Sequence, residues 1–290
     1  MKIQTFSIVT GTTACNAHCP YCISKMTPNQ LVTIKDQVIN WRNFDKACRL
    51  AQIAGVTTVL MTGKGEPTLY PLQIRDVLEH LQTYDFPLIE LQTNGIRLGK
   101  AFGLGISYLH EWYKLGLTTI AISIAHYDKE KNREIFTPKE EYIDLDDLIR
   151  TLHDIGFSVR LSCVLIDGYI DNNVEVGHMI NYARGLKVEQ LSLRKLARPL
   201  KSNDDETYNW TCSHMIDDDY LNAMEIGIAS FGNKLMTLDN GAVIYDVDGQ
   251  NVCWADALTI KPETDSLRQI IFFPDGHLRY DWQFKGATLI

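Results

Sequence analysis

The sequence lacks any run of about 18 consecutive apolar residues, the length a helix needs to cross a bilayer, and its opening Met1-Lys2-Ile3-Gln4-Thr5 lacks the apolar core of a secretion signal. The expectation is a cytoplasmic protein with no membrane partner. An excess of basic charge is also missing. The 28 Lys and Arg are outnumbered by 36 Asp and Glu, the net charge is −8 and the pI about 5.5, which disfavours broad attraction to phosphate backbones and so a nucleic-acid partner. Low-complexity tracts are absent, prolines number only 9, and 45% of residues are hydrophobic against 22% charged, excluding disorder, collagen and coiled coil. Cysteines are few and odd in number. A chain of 290 residues buries roughly 75% of its unfolded surface without staples, so seven thiols point to reduced cysteines or metal ligands rather than disulfides.

What is present is a βα rhythm. Helical apolar patterns end at Gly55, Gly116, Gly156 and Gly185 and give way at once to aliphatic runs over 56–61, 117–124, 157–166 and 186–193. Glycine in that place predicts a left-handed cap between helix and strand. With further strands over 3–11 and 88–93, six strands are expected, joined by right-handed helical crossovers into a parallel sheet. The stripe Leu145, Leu148, Ile149, Leu152, Ile155 suits a helix packed on such a sheet. The segments Glu90–Asn94, Arg160–Val164 and Gln190–Arg194 alternate polar and aliphatic residues. Their aliphatic faces must meet the helices, so the polar faces line a lumen. The expected fold is α/β, a partial (β/α)6 TIM-type barrel with its site at the carboxyl ends of the strands; solvent-exposed antiparallel strands are the alternative. Past residue 198 come a polar linker over 201–206, one more helix over 216–231, and hairpin signals at Asn240-Gly241, Asp248-Gly249 and Asp275-Gly276. The chain thus divides into a barrel, 1–198, and a C-terminal α+β extension, 199–290, that covers it. The aromatics of the extension, Trp254, Phe272, Phe273, Tyr280 and Trp282, are expected to fill a small core.

The residues with most chemistry follow the first strand: Cys15-Asn16-Ala17-His18-Cys19-Pro20-Tyr21-Cys22. Seven cysteines scattered at random would give this C-x3-C-x2-C spacing with a chance of about 0.004, so it calls for a cause. Three thiolates on one loop suit an iron–sulfur cluster with one iron left open, or a zinc ion with His18 as fourth ligand.

Together with Thr62-Gly63-Lys64-Gly65-Glu66-Pro67 and Gln92-Thr93-Asn94-Gly95, at the ends of the second and third strands, the loop resembles the radical S-adenosylmethionine (radical SAM) superfamily. The cysteine loop matches C-x3-C-x-aromatic-C with Tyr21 at the aromatic position. The second segment is similar to the GGEP motif, with Lys64 interrupting the glycines, and the third to T-N-G. The resemblance covers residues 1–198 and is closer to the MoaA-like and SPASM/twitch branches. It implies that Cys15, Cys19 and Cys22 ligate a [4Fe-4S] cluster whose open iron takes the amino and carboxylate groups of S-adenosylmethionine. Tyr21 would lie against the adenine. Gly63, Gly65 and Glu66 would accept the methionine ammonium, which offers three donors and no acceptor. Asn94, Ser123, Arg160 and Ser162 would supply further contacts to the cofactor.

The implied reaction takes one electron from an external donor, cleaves S-adenosylmethionine, and uses the 5′-deoxyadenosyl radical to abstract hydrogen from a small organic substrate in the lumen. Substrate contacts are expected from Gln190, Ser192, Arg194, Glu90 and His126. The bland alternatives are ion pairing of Arg160 and Arg194 with Glu90, and a loop-bracing role for His126. Cys48 and Cys163 read as buried apolar residues. Cys212 and Cys253 are candidate hydrogen-atom donors. SPASM/twitch relatives carry auxiliary-cluster cysteines after a Pro-Asp-Gly hairpin, and none follows Pro274-Asp275-Gly276, so no auxiliary cluster is expected. Modification of RNA or a peptide, and a non-catalytic zinc scaffold, are the competing functions. No oligomeric state is readable from the sequence.

Overall fold

The computed structural model describes residues 2–29, 32, 38–99, 105–256 and 266–290. Among them the strands are β1 Lys2–Val9, β2 Thr58–Thr62, β3 Leu88–Thr93, β4 Thr119–Ile124, β5 Ser158–Leu165, β6 Gln190–Lys195, β7 Asn233–Thr237, β8 Val243–Val247, β9 Gln250–Asp256, β10 Ser266–Phe272 and β11 Leu278–Arg279. The helices are α1 Ile23–Met26, α2 Trp41–Ile53, α3 Pro71–Leu81, α4 Ile106–Lys114, α5 Lys129–Phe136, α6 Leu145–Ile155, α7 Asn173–Gly185, α8 Asp205–Ser213 and α9 Asp218–Phe231.

The strands form one sheet in the order β11-β10-β1-β2-β3-β4-β5-β6-β9-β8-β7. All pairings from β10 through β1–β6 to β9 are parallel, so the six expected strands stand side by side in sequence order and the antiparallel alternative falls. The α/β partial-barrel expectation holds. Each predicted hairpin joins an antiparallel pair, β7–β8, β8–β9 and β10–β11. Beyond the hairpins, β9 lies parallel to β6 and β10 parallel to β1, so the segment after residue 199 extends the parallel sheet at both edges. Its aromatics are mostly core: Phe272, Phe273 and Trp254 are buried, whereas Tyr280 is exposed.

Helices bury one stripe each. In α6 the stripe is Leu145, Leu148, Ile149 and Leu152, each worth about 1.5–3 kcal/mol of burial. Asp144 caps its first turn by accepting from Asp147 N, and Gly156 at φ 111° closes its last. The same device fails at Gly185, which is the last residue of α7; the left-handed position falls two residues on, at Lys187 with φ 57°. Three helices, α1, α5 and α8, were not expected. The polar run 201–206 is only in part a linker, because Asp204 accepts from Thr207 N and caps α8.

Candidate active site at the carboxyl ends of the strands

Beyond β1 the chain reverses at Gly11, where φ is +73° and a side chain would collide with the ring of Tyr70. Gly11 N donates to Gln73 Oε1 and Thr12 Oγ1 bonds Tyr70 Oη, so the start of α3 fixes the approach to the cysteine loop. The Thr62–Pro67 turn is welded to the same loop. Glu66 N donates to Ala14 O at 2.9 Å, and a Cβ on Gly65 would fall on the Ala14 carbonyl. From the far side His18 N reaches Phe136 O at 2.8 Å, and Lys139 Nζ reaches Cys15 O at 2.9 Å. Gly65→Ala is therefore expected to cost at least about 2 kcal/mol and to impair iron uptake, read from denaturant midpoints and bound iron. Gly177→Ala, in α7 with open space around its Cβ, should do neither.

The three thiols on this loop are half-buried. Burial, then the neighbouring Glu66 and Cys22, pushes Cys15 up to about 11; burial and the other two cysteines push Cys19 higher still. Such thiols stay protonated until a cation joins them. Asn94 Nδ2, from the end of β3, bonds Asn16 Oδ1 at 2.8 Å and lies 3.9 Å from Cys15 Sγ, while its Oδ1 accepts from Ile96 N. The Nδ2 of Asn16 is buried and has no protein partner, an orphan donor beside the first cysteine. The ring of Tyr21 packs against Phe136 and, at 6.2 Å between centroids, Trp210 of α8.

Glu66 is buried, and four donors meet its carboxylate. Oε1 accepts from Thr68 N, Thr68 Oγ1 and Thr93 Oγ1; Oε2 accepts from Asn94 N alone at 2.9 Å. Burial raises its pKa against the pull of those donors. A carboxylate offers about four lone-pair sites, so Oε2 keeps one for an ammonium. Glu66 thereby also ties β2 to β3. Gly63 sits where a Cβ would press on Gly65 O and Thr10 O, so its carbonyl edge of the turn is backbone only.

Below the loop, registers place Ser123, Ser162 and Ser192 side by side on β4, β5 and β6, and Ser192 beside Cys253 on β9. Glu90 is ion-paired to Arg160 and also accepts from Gln92 Nε2 at 3.0 Å. Arg160 Nε is buried without a partner. Gln190 Nε2 donates to Asn251 Oδ1 at 3.0 Å. Arg194 makes no ion pair or hydrogen bond with any described residue. Burial, then the charges of Arg160 and Arg268, push it down to about 10, so it is still a cation at neutral pH. Arg160 and Arg268 thus both act on Arg194, and Glu90, the carboxylate that acts on it, is already held by Arg160. Cys253 shares this surrounding: burial raises its pKa against the three arginines and Ser192.

Two candidates lie elsewhere. His126 is engaged locally: its Nδ1 accepts from Asp128 N at 2.9 Å and its Nε2 stands 3.5 Å from Glu175 Oε2 of α7, contacts that brace the loop after β4. Cys212, on α8, is a partner of Arg198 Nη1 at 3.2 Å, with none of the lumen residues that surround Cys253. Cys48 and Cys163 are buried in the core, as expected. Sequence reasoning missed Asn16, Thr93, Lys139 and Arg268. The last was hidden because nothing local announces that β10 pairs with β1.

A model of the radical SAM superfamily matches residues 9–183. Curated relatives include the GTP 3',8-cyclase of Aquifex aeolicus (strain VF5), 25% identical over 230 residues, 78% of this chain and 64% of that protein. That of Staphylococcus epidermidis (strain ATCC 12228 / FDA PCI 1200) is 26% identical over 184 residues, 62% and 51%. The chain spans between half and two-thirds of these relatives. Among solved structures, SuiB of Streptococcus suis bound to S-adenosylmethionine aligns with TM-score 0.63 at 13% identity, over 96% of this chain and 60% of that one. A radical SAM methyltransferase from Sphaerobacter thermophilus aligns with TM-score 0.52 at 16%, over 86% and 66%. At such identities the likeness is one of fold.

Members of this superfamily use a [4Fe-4S] cluster and S-adenosylmethionine, and the residues present suit them. Three soft thiols share one braced loop, and an orphan amide donor lies beside them. Among the described residues no three His, Cys, Asp or Glu side chains converge as they would on a single ion; thiolates on separate irons of a four-iron cube need no such convergence. No helix among the described residues is long and apolar enough to cross a membrane. With more than half of its length matched by the family model, the chain belongs to the radical SAM superfamily.

Proposed function

We propose that this chain is a radical SAM enzyme acting on a small anionic organic molecule, bearing phosphate or carboxylate, held in the lumen by Arg194 with Arg160 and Arg268. The observation that carries the reading is Arg194, a desolvated guanidinium whose nearby carboxylate, Glu90, is already taken. A buried cation without a partner is costly, and an anionic ligand would remove that cost. The planar fork of each arginine suits either oxyanion.

In this reading Cys15, Cys19 and Cys22 hold the cluster, and Gly63, Gly65 and Glu66 receive the methionine ammonium. Asn16 and Asn94 fix the loop and face the cofactor, with Tyr21, Ser123 and Ser162 around it. A cluster held there and reduced by an external one-electron donor would supply the electron that breaks the sulfonium C5′–S bond of S-adenosylmethionine, releasing methionine and the 5′-deoxyadenosyl radical. Gln190, Ser192 and Arg194 orient the substrate. Residues 199–290 cover the site, with Trp210 on Tyr21 and Trp282 closing over the turn at Lys64; a covered lumen keeps water from a reactive species. Of the two candidate hydrogen-atom donors, this reading assigns the role to Cys253, supported by its pairing beside Ser192 and the arginines that act on it.

GTP, named in the relatives' activity, is the first probe. Anaerobically reconstituted, reduced protein should form 5′-deoxyadenosine slowly with S-adenosylmethionine alone. Phosphate- or carboxylate-bearing molecules, GTP included in the panel, should be the ones that accelerate it, and neutral counterparts such as guanosine should not. Equal acceleration by the neutral counterparts would overturn the anionic assignment. Zinc in place of iron would overturn the enzyme.

A further inference from the structure

Lys64 is 5% exposed and stands inside the turn that follows β2. Its Nζ donates to Thr27 Oγ1 at 2.7 Å and lies 3.5 Å from Thr27 O, and the ring of Trp282 covers it at 5.9 Å from the centroid. Thr27 is the C-cap of α1, the short helix that starts directly after Cys22. No carboxylate among the described residues pairs with this ammonium. The group of negative potential charge that acts on it is the thiol of Cys22. Burial, opposed by Cys22, pushes Lys64 down to about 8, which leaves it a cation at neutral pH.

A buried ammonium needs a counter-charge nearby, and among the described residues the candidates are the cysteines themselves. Thiolates on the loop would provide it. Three thiolates bring more negative charge than the oxidised cluster core neutralises, and reduction adds one more electron. A fixed cation at this position favours the reduced form, and the dry setting between Thr27 and Trp282 strengthens the effect.

We propose that Lys64 is the built-in counter-charge of the cluster, a positioning residue that raises its reduction potential rather than a contact to S-adenosylmethionine or substrate. This rests on the cluster assignment above. The couple is a one-electron reduction by the external donor, with no bond made or broken. An opposite charge at close range shifts an ionisation equilibrium by about one to three decades, and a reduction should respond alike. Removing the charge should therefore lower the equilibrium constant for reduction at least about tenfold, equivalent to 59 mV for a one-electron couple.

The test is a spectroscopic redox titration of the reconstituted full chain, without substrate, for wild type, Lys64→Gln, Lys64→Met and Lys64→Arg, with iron content and circular dichroism on each. Gln keeps a donor for Thr27 and removes the charge; Arg keeps the charge. The expected result is a drop of tenfold or more in both neutral variants and a value within about twofold of wild type in Lys64→Arg. Folded neutral variants that fail to take up iron, beside an arginine variant that does, would give the same answer through assembly. Neutral variants with full iron and an unshifted equilibrium overturn the proposal and leave Lys64 a mechanical tie between β2 and α1. An arginine variant as displaced as the glutamine one also overturns it. Absence of iron in wild type would instead defeat the cluster assignment.

Discussion

Cys19→Ala should abolish cluster assembly while leaving the fold in place. Iron and sulfide after anaerobic reconstitution should fall at least tenfold, to background, together with the visible absorption of the cluster and the formation of 5′-deoxyadenosine. Cys19 is the middle ligand of the loop, and its loss leaves two thiols, too few to hold a four-iron cube. The structural cost is small. The substitution removes one sulfur from a half-buried position, and the loop is held by backbone bonds at His18, Asn16 and Ala14 that the side chain does not make. Cys48→Ala is the matched control, since that sulfur is buried in the core away from the loop and its loss should lower stability without touching iron content. Retention of full iron by the Cys19 variant would refute the ligand assignment.

Much of this site is legible in the sequence because its signals are local. A two-residue alternation identifies β3, β5 and β6 and the side of the sheet that faces the lumen, and Asp248-Gly249, with φ 49° and 84°, marks its hairpin by turn chemistry alone. The cysteine spacing and the Gly65-Glu66-Pro67 turn are likewise contiguous. What stays hidden is long-range pairing. Nothing near Arg268 states that β10 will lie beside β1, so the third guanidinium of the lumen is invisible until the sheet is assembled. Trp210 reaches Tyr21 only because Asp204 caps a helix inside a run that composition reads as linker. Lys64 is conspicuous as an interruption of a glycine turn, yet its burial against Thr27 and Trp282 joins residues from three distant parts of the chain. Glu66 shows a further limit: its motif suggests a ligand contact, and its four protein donors make it a structural tie as well. His126 shows another limit: a polar residue near a strand end whose local hydrogen bond to Asp128 N the sequence does not announce.

Arg194→Met separates the needs of the fold from those of the reaction. In the substrate-free protein the guanidinium is desolvated, repelled by Arg160 and Arg268, and paired with no carboxylate among the described residues, Glu90 being held by Arg160. Replacing it by an apolar side chain of similar length should stabilise the chain by about 1–2 kcal/mol, because unpaired buried charge is removed and the aliphatic stem is kept. With an anionic substrate the sign reverses. Loss of a buried, hydrogen-bonded charge partner costs about 2–5 kcal/mol of binding, so kcat/KM should fall at least about thirtyfold. Iron content should stay at the wild-type level, since no cysteine of the loop is among the groups acting on Arg194. The measurements are a denaturant midpoint on the substrate-free protein, bound iron, and substrate-dependent 5′-deoxyadenosine formation. A gain in stability with a loss of coupled turnover identifies Arg194 as a residue kept for its ligand at the expense of the fold. Lower stability in the variant would show instead that the arginine is already neutralised inside the protein, and the anionic substrate would lose its main support.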